Sequence, residues 1–349
     1  VLDPNILRTD LDRLATSLSR RGLETDLSAL ARLDEQVRRT RQRSEEVRAA
    51  QKEAGREIAR LQAADKEAAI ARVAQLADEY KRLDSEAEEL AERFAGAWAT
   101  IPNLVDPTAA DGHTDADNLE IKRVGTVPTF DFAPSDFTTL GLSLDLIDMD
   151  RGAKVSGSRF GYLKGQAVLL EFALVRYAFD HVIAKGFTPM VPPVLVREAA
   201  LFGTGFLPGD REQVYSVPDD ELYLVGTSEV SLAAYHTDEI LNADSLPVRY
   251  AGYSTCFRRE AGTYGKDTQG LFRVHQFDKV EMFVFCAPED SPAEHERLLA
   301  IEEAIVGGLG LPYRVVNVAA GDLGASAAKK YDIEAWFPSQ GDYREITSC

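Results

Sequence analysis

The chain has 349 residues, 45% of them hydrophobic and 28% charged, and a formal net charge of −18. This is material for one large or two ordinary soluble domains, and the negative field repels nucleic acid, so any contact with it needs a local basic patch. Cys256, Cys286 and Cys349 are far apart and form no C-x-x-C pair, which speaks against a disulfide framework and a cysteine-rich zinc site and fits a reducing cytoplasm.

The first residues, VLDPNILRTDLDRL, lack the basic start and apolar core of a signal peptide. From residue 27 to about 101 the texture is uniform: Gly appears only at 55 and 96, and the next Pro is Pro102. Apolar and small residues recur at 3-4 spacing through Leu30, Leu33, Val37, Thr40, Ser44, Val47, Gln51, Ala54, Ile58 and Leu61. The pattern restarts at Ala69 and runs through Val73, Leu76, Tyr80, Leu83, Ala87, Leu90, Phe94, Ala97 and Ile101. Two heptad runs with a break around Ala63-Ala64-Asp65 predict an antiparallel two-helix coiled coil. Helices of about 35 residues reach roughly 50 Å, so the hairpin should project from a compact body.

The first helix carries Arg38, Arg39, Arg41, Arg43, Arg48, Lys52, Arg56 and Arg60 against Glu45, Glu46, Glu53 and Glu57. Two explanations stand side by side: a solvated face with i,i+4 pairs, or a rigid arm that follows an RNA backbone through Arg38, Arg41, Arg48, Lys52 and Arg56.

Prolines 102, 107, 128 and 134 and the run ADGHTDAD read as a linker. The predicted organisation is a helical arm at 1–103, a linker and start of the body at 104–136, and a body from 137 to 349. The body begins with a helix over 164–185, whose stretch VLLEFALVRYAFDHVIA is too polar and too short to span a membrane. VPPVLV, YLVGTSEVSL, 249–260, 270–285, YRVVNVAA and YDIEAWFP read as strands, and HERLLAIEEAIVGGLG as a helix closed by glycine. Few helices among consecutive strands predict an α+β body, an antiparallel sheet flanked by helices.

FRREAGTYGKDTQGLFRVHQFDKVE, residues 257–281, has two faces by strand alternation. Even positions from Phe272 to Val284 are mostly apolar; odd positions hold Arg273, His275, Phe277, Lys279 and Glu281. With Arg258 and Glu260 on the preceding strand, antiparallel pairing gives a floor of two arginines, an aromatic ring and carboxylates. That set suits a nucleoside triphosphate, with arginine on phosphate, a ring under the base and a carboxylate for an ammonium group. A surface hairpin with paired charges stays open; Phe277 on the polar face argues against it.

The same segment resembles motif 2 of class II aminoacyl-tRNA synthetases, and GFTPMVPPVLV resembles motif 1, the dimerisation element. With TSE at 227–229, VHQFDKVEMF, AAGDLG at 319–324, YREITSC and the N-terminal hairpin, the chain is similar over essentially its whole length to the bacterial seryl-tRNA synthetase family. The resemblance implies a homodimer whose arm binds tRNA charged on the other subunit. It implies ATP-dependent activation of serine, transfer to the 3′ end of tRNA(Ser), serylation of tRNA(Sec) as an extra, Mg²⁺, and no zinc.

Carried to matching positions, the resemblance gives Arg258 the α-phosphate and the serine carboxylate, Arg273 the γ-phosphate, and Glu260 the adenine side. It gives Phe277 adenine stacking, with Val274 in the ATP site. Thr227, Glu229 and Glu281 fall to serine, and Glu345 and Ser348 to the magnesium ion and phosphate. His275 receives no chemistry, and Lys266 could guide the acceptor end of tRNA. The motif 3 segment expected after residue 349 is not in this sequence. The expectation is a longer natural protein, and a 349-residue chain that is poorly folded or inactive alone. Two rivals are a non-catalytic tRNA-binding paralogue and an amino acid:carrier-protein ligase; the basic arm argues against the second.

Overall fold

The computed structural model describes residues 2–58, 61–261 and 271–349. Lys266, Arg60 and most of the Gly-rich part of motif 2 lie outside those residues. The chain divides into two compact units, Val1–Leu104 and Val105–Cys349.

The first unit opens with α1 (Ile6–Thr9) and α2 (Leu11–Arg20), the latter capped by the Asp10 carboxylate, which accepts from the Arg13 amide at 3.2 Å. Two long helices follow, α3 (Leu27–Ile58) and α4 (Ala63–Trp98). At 1.5 Å per residue they run roughly 50 Å. Every seam position predicted within α3, and every one from Ala69 to Ala97 in α4, is buried or half-buried, with Leu30, Val37, Val47, Leu83 and Ala87 innermost. The helix break falls earlier than the sequence suggests: Ala63 already opens α4, because Ala-Ala-Asp is a good helix start. The root is an apolar cluster of Leu7, Leu14, Leu18, Leu30, Trp98 and Ile101, with the Trp98 indole N–H donating to the Leu2 carbonyl at 2.7 Å.

In the second unit the proline-rich stretch carries a strand, β1 (Leu119–Val124). Then come α5 (Phe137–Ser143), β2 (Ile147–Asp148), α6 (Met149–Ser156), β3 (Tyr162–Leu163) and α7 (Gln166–Ala184). β4 (Thr188–Met190), β5 (Leu195–Arg197), α8 (Glu198–Gly203), β6 (Ser216–Val217), β7 (Leu222–Leu224) and α9 (Glu229–Ala233) follow. The long strands β8 (Val248–Phe257) and β9 (Gln276–Phe285) precede α10 (Ser291–Gly308), β10 (Tyr313–Asn317), β11 (Tyr331–Phe337) and β12 (Asp342–Ser348).

Two sheets matter for the site. One is antiparallel, in the order β1-β10-β11-β12, with Leu299 and Val306 of α10 packed on Val315, Tyr331 and Ile333. The other is β4-β8-β9, where β8 and β9 form a ten-pair antiparallel ladder from Val248–Phe285 to Phe257–Gln276. β4 joins β8 in parallel, so the body is not purely antiparallel as expected. α7 packs here through Val182 beside Phe187, Ala251 and Ile301.

Two further expectations need correction. TSEVSL is not strand: β7 stops at Leu224 and Glu229 opens a helix, since Gly226 interrupts the apolar run. Arg258, Glu260, Arg273 and His275 are not on strands either; β8 ends at Phe257 and β9 begins at Gln276. Glu260 has φ of +49°, a turn conformation incompatible with a continuing strand.

Candidate active site

The polar face of β9 is where alternation puts it. Phe277, Lys279 and Glu281 share one side, and the contacts of Lys279 and Glu281 run to the turn that leads from β7 into α9. Main-chain bonds lock that turn to the end of β8: the Phe257 amide donates to the Val225 carbonyl at 2.8 Å. The Arg258 Nε donates to the Gly226 carbonyl at 3.1 Å. Gly252, opposite Glu281, lets α9 approach; a Cβ there would lie 3.0 Å from Leu232 Cδ1 and 3.2 Å from Ser228 Oγ.

Thr227, 2% exposed, is the centre of the first cluster. Its hydroxyl donates to Glu281 Oε2 at 2.8 Å and accepts from the Lys279 ammonium at 2.7 Å and the Glu229 amide at 3.1 Å. Lys279 also pairs with Glu281 Oε2. Burial and the Glu281 charge push the Glu229 carboxyl above its ordinary range, while Lys279 and Arg258 pull it back.

The second cluster lies past the strand ends. The Arg258 guanidinium sits 5.2 Å from the Phe277 ring centroid. Arg273 Nε donates to Glu260 Oε2 in a short ion pair. His275 is structural: its amide donates to the Arg159 carbonyl at 3.1 Å, its carbonyl accepts from the Arg258 amide at 3.0 Å, and its Nδ1 lies 2.8 Å from the Arg258 carbonyl. Val274 lies half-buried between Arg273 and His275.

Glu345 and Ser348 stand on the other sheet, on β12. Three residues apart, they would face opposite sides of a regular strand. A bulge interrupts the register between Ile333 and Glu334, so Ser348 pairs with Asp332 and Glu345 with Glu334. Lys330 then meets both carboxylates, Asp332 at 2.8 Å and Glu345 at 3.7 Å. Asp332 is raised to about 6 by burial and the neighbouring Glu345 charge. Glu345 is half-exposed and only loosely paired. That suits a magnesium ion, which takes one or two carboxylates and completes its shell with substrate phosphates and water. Among the described residues no group of three or more metal-ligating side chains exists.

The opposite face of β9 is different. Asp278 and Val280 line an apolar cavity of about 590 Å³ with Leu170, Leu174 and Glu171 of α7. Burial and the bond to Asp278 raise Glu171 to about 7.

In the first unit the basic face of α3 is exposed at Arg38, Arg41, Arg48, Lys52 and Arg56. Two of these already have partners: Arg38 with Asp34 at 3.0 Å, and Arg48 over the Tyr80 ring at 5.3 Å. Sequence reasoning gave Lys279 no partner and missed Gln213. The Gln213 side chain bonds both the amide and the carbonyl of Ala261, each at 3.0 Å, and so fixes the entry to the Gly-rich segment. No local pattern announces either role, because both depend on contacts more than 40 residues away.

Comparison with known proteins places these clusters in a context. A family model described as the seryl-tRNA synthetase N-terminal domain matches residues 1–105, and one described as the class II core domain for G, H, P, S and T matches residues 214–349. The chain is 50% identical to the serine–tRNA ligase of Thermobifida fusca, over all of this chain and 82% of that protein. It is also 50% identical to that of Acidothermus cellulolyticus, over all of this chain and 83% of the relative. Among solved structures, the seryl-tRNA synthetase of Pyrococcus horikoshii complexed with ATP superposes with a TM-score of 0.93 at 37% identity, covering 100% of this chain and 83% of that one. The cytoplasmic enzyme of Naegleria fowleri in complex with AMP gives 0.86 at 30% identity, covering 99% of this chain and 82% of that one.

Proposed function

The chain belongs to the seryl-tRNA synthetase family, ATP-dependent ligases that join serine to tRNA, and from that premise we propose how its own residues divide the reaction. Thr227, Glu229 and Glu281 receive serine; Arg258, Glu260, Arg273, Val274 and Phe277 receive ATP; Glu345 and Ser348 hold Mg²⁺ and phosphate. The observation that carries this reading is the polar cluster itself: a buried hydroxyl, two carboxylates and a guanidinium meet on one face of β9.

Chemistry follows from the placement. Phe277 offers a flat face for the adenine. Arg258, between that ring and the serine cluster, can bind the α-phosphate and the serine carboxylate together and bring attacking oxygen and phosphorus into line. The Arg273–Glu260 pair joins the residue given to the γ-phosphate with the one given to the adenine, so an ATP that satisfies both must bind folded back on itself. The serine carboxylate attacks the α-phosphorus and pyrophosphate leaves; the terminal ribose hydroxyl of tRNA then attacks the acyl carbon and AMP leaves. Mg²⁺, when bound, supplies further charge neutralisation on the phosphates. Selection for serine rests on buried partners for its polar groups, because a site built around them is left unsatisfied by analogues lacking them.

The exposed basic face of α3 supports tRNA(Ser), with tRNA(Sec) as a secondary substrate. The apolar residues Leu169, Leu170 and Phe172 of α7, each more than half exposed, and Val191 at 84%, support a homodimer in which arm and active site act across subunits. A cytoplasmic location agrees with this role; among the described residues no helix is long and apolar enough to cross a membrane.

The test is amino-acid-dependent ATP–pyrophosphate exchange with serine, threonine, alanine and glycine. Exchange should occur with serine and be lost in Glu281→Ala and Thr227→Val. Equal exchange with alanine, or no effect of either substitution, overturns the pocket assignment.

A further inference from the structure

Lys279 occupies a place that a substrate should fill. A hydroxyl has one proton to donate and two lone pairs to accept with. At Thr227 all three are used, by Glu281, Lys279 and the Glu229 amide. A serine group can therefore reach the Thr227 oxygen only by removing a donor. The Glu229 amide is main chain at the start of α9 and cannot leave. Lys279 can: its side chain is 31% exposed and its ammonium rides on a flexible four-carbon stem. The lysine ammonium and the α-ammonium of serine carry the same charge and the same three donors.

We propose that Lys279 is a positioning residue of the serine pocket, a resident cation that holds Thr227 and Glu281 in receiving geometry and is exchanged for the substrate's own ammonium. The proposal rests on the reading of Thr227, Glu229 and Glu281 as that pocket. Two carboxylates, Glu229 and Glu281, repel each other in this site, and among the described residues Lys279 and Arg258 offset them. Two further titratable groups act on this pair. The Cys256 thiol of β8, pushed up by burial, stays neutral. Glu302 of α10, raised to about 7 by burial with the Glu281 charge adding to it, is present in wild type and variant alike. Without Lys279 the empty pocket lacks one cation. A proton then takes its place, and binding of serine has to displace that proton.

The experiment is pyrophosphate exchange by the purified protein from pH 6 to 9, with kcat and KM for serine and for ATP. Lys279→Met should move the acid limb of kcat/KM for serine to higher pH. It should lose about tenfold at pH 6.5 and under threefold at pH 8.5, with KM for ATP within twofold throughout. Lys279→Arg, which keeps the charge, should retain the wild-type limb. Lys279→Gln is measured in the same way, should the methionine variant fold poorly. An unmoved acid limb, or an equal loss at every pH for both substrates, overturns the proposal. Glu281→Gln separates the two levels: if it leaves KM for serine unchanged, the pocket assignment itself has failed; if it raises KM while Lys279→Met moves nothing, only the role of Lys279 has.

Discussion

Arg258 holds its guanidinium 5.2 Å from the centroid of the Phe277 ring, on the face of β9 turned away from the α7 cavity. The two residues come from either side of the Gly-rich segment, and their contact fixes where a base can stack relative to a phosphate. Phe277→Leu keeps apolar volume and removes the flat face. Stacking of a base on an aromatic ring is worth about 1–3 kcal/mol, so KM for ATP should rise about tenfold or more while KM for serine changes little. Isothermal titration with ATP and steady-state exchange both read this. An unchanged ATP affinity would place the adenine elsewhere.

Asp34 is 4% exposed within the coiled coil, yet carries a charge. It is clamped by Arg8 of α1 at 2.5 and 2.8 Å and by Arg38 at 3.0 Å. The Arg8 bonds, then Arg38, hold its carboxyl below the ordinary range. Its contribution is thus present above the unfolded pKa and lost on acidification. Both arginines are partly solvated, which reduces the effect, so Asp34→Ala should lower the stability of the first unit by on the order of 1–2 kcal/mol. Urea unfolding at pH 7 measures it, and the difference from wild type should shrink below pH 4. A gap that persists at pH 3 would mean that packing, not the ion pairs, is responsible.

Sequence periodicity revealed most of the arm because a coiled coil writes its contacts at fixed spacing. It did not reveal Asp34, whose partner Arg8 lies 26 residues away on another helix. Alternation correctly grouped Phe277, Lys279 and Glu281, and failed where the chain leaves the strand: Arg273 and Glu260 meet through turns. The shared side of Glu345 and Ser348 was equally hidden, since a bulge is a property of pairing with β11 and not of YREITSC alone. The parallel β4–β8 contact depends on the long connection through β5, α8, β6, β7 and α9, and the short TPM strand gives it no signal of its own.

Glu302 on α10 is 6% exposed and receives a hydrogen bond from the Thr347 hydroxyl at 2.9 Å. Burial raises it to about 7. A carboxyl raised in the folded state binds its proton more tightly there than in the unfolded chain. Its stabilising effect is therefore complete below about pH 4.5 and lost as pH rises through 7. Glu302→Gln imitates the protonated form. It should be more stable than wild type at pH 8, by about 1–2 kcal/mol, and nearly equal to it at pH 5. Differential scanning calorimetry at the two pH values decides; a variant that melts lower at both would show that the charge is compensated.

The arm offers the cleanest separation of the two half-reactions. Arg43 reaches Glu79 at 3.3 Å and Arg48 stacks on Tyr80, so residues near 43 and 79 lie side by side. Removing 44–78 and closing the gap with a short Gly-rich turn would keep the root cluster of Leu7, Leu14, Leu18, Leu30, Trp98 and Ile101. It also takes away Arg48, Lys52 and Arg56. Serine-dependent exchange should stay within twofold of wild type, because no residue of the body is touched. Aminoacylation of tRNA should fall at least about tenfold, through KM for tRNA. A point variant refines the same argument. Each cation that contacts a phosphate adds roughly one to the salt slope of binding. The combined Lys52→Ala and Arg56→Ala variant should therefore flatten that slope by about two while exchange is unchanged. Full charging by the shortened protein would return the basic face of α3 to the simpler status of a solvated helix surface.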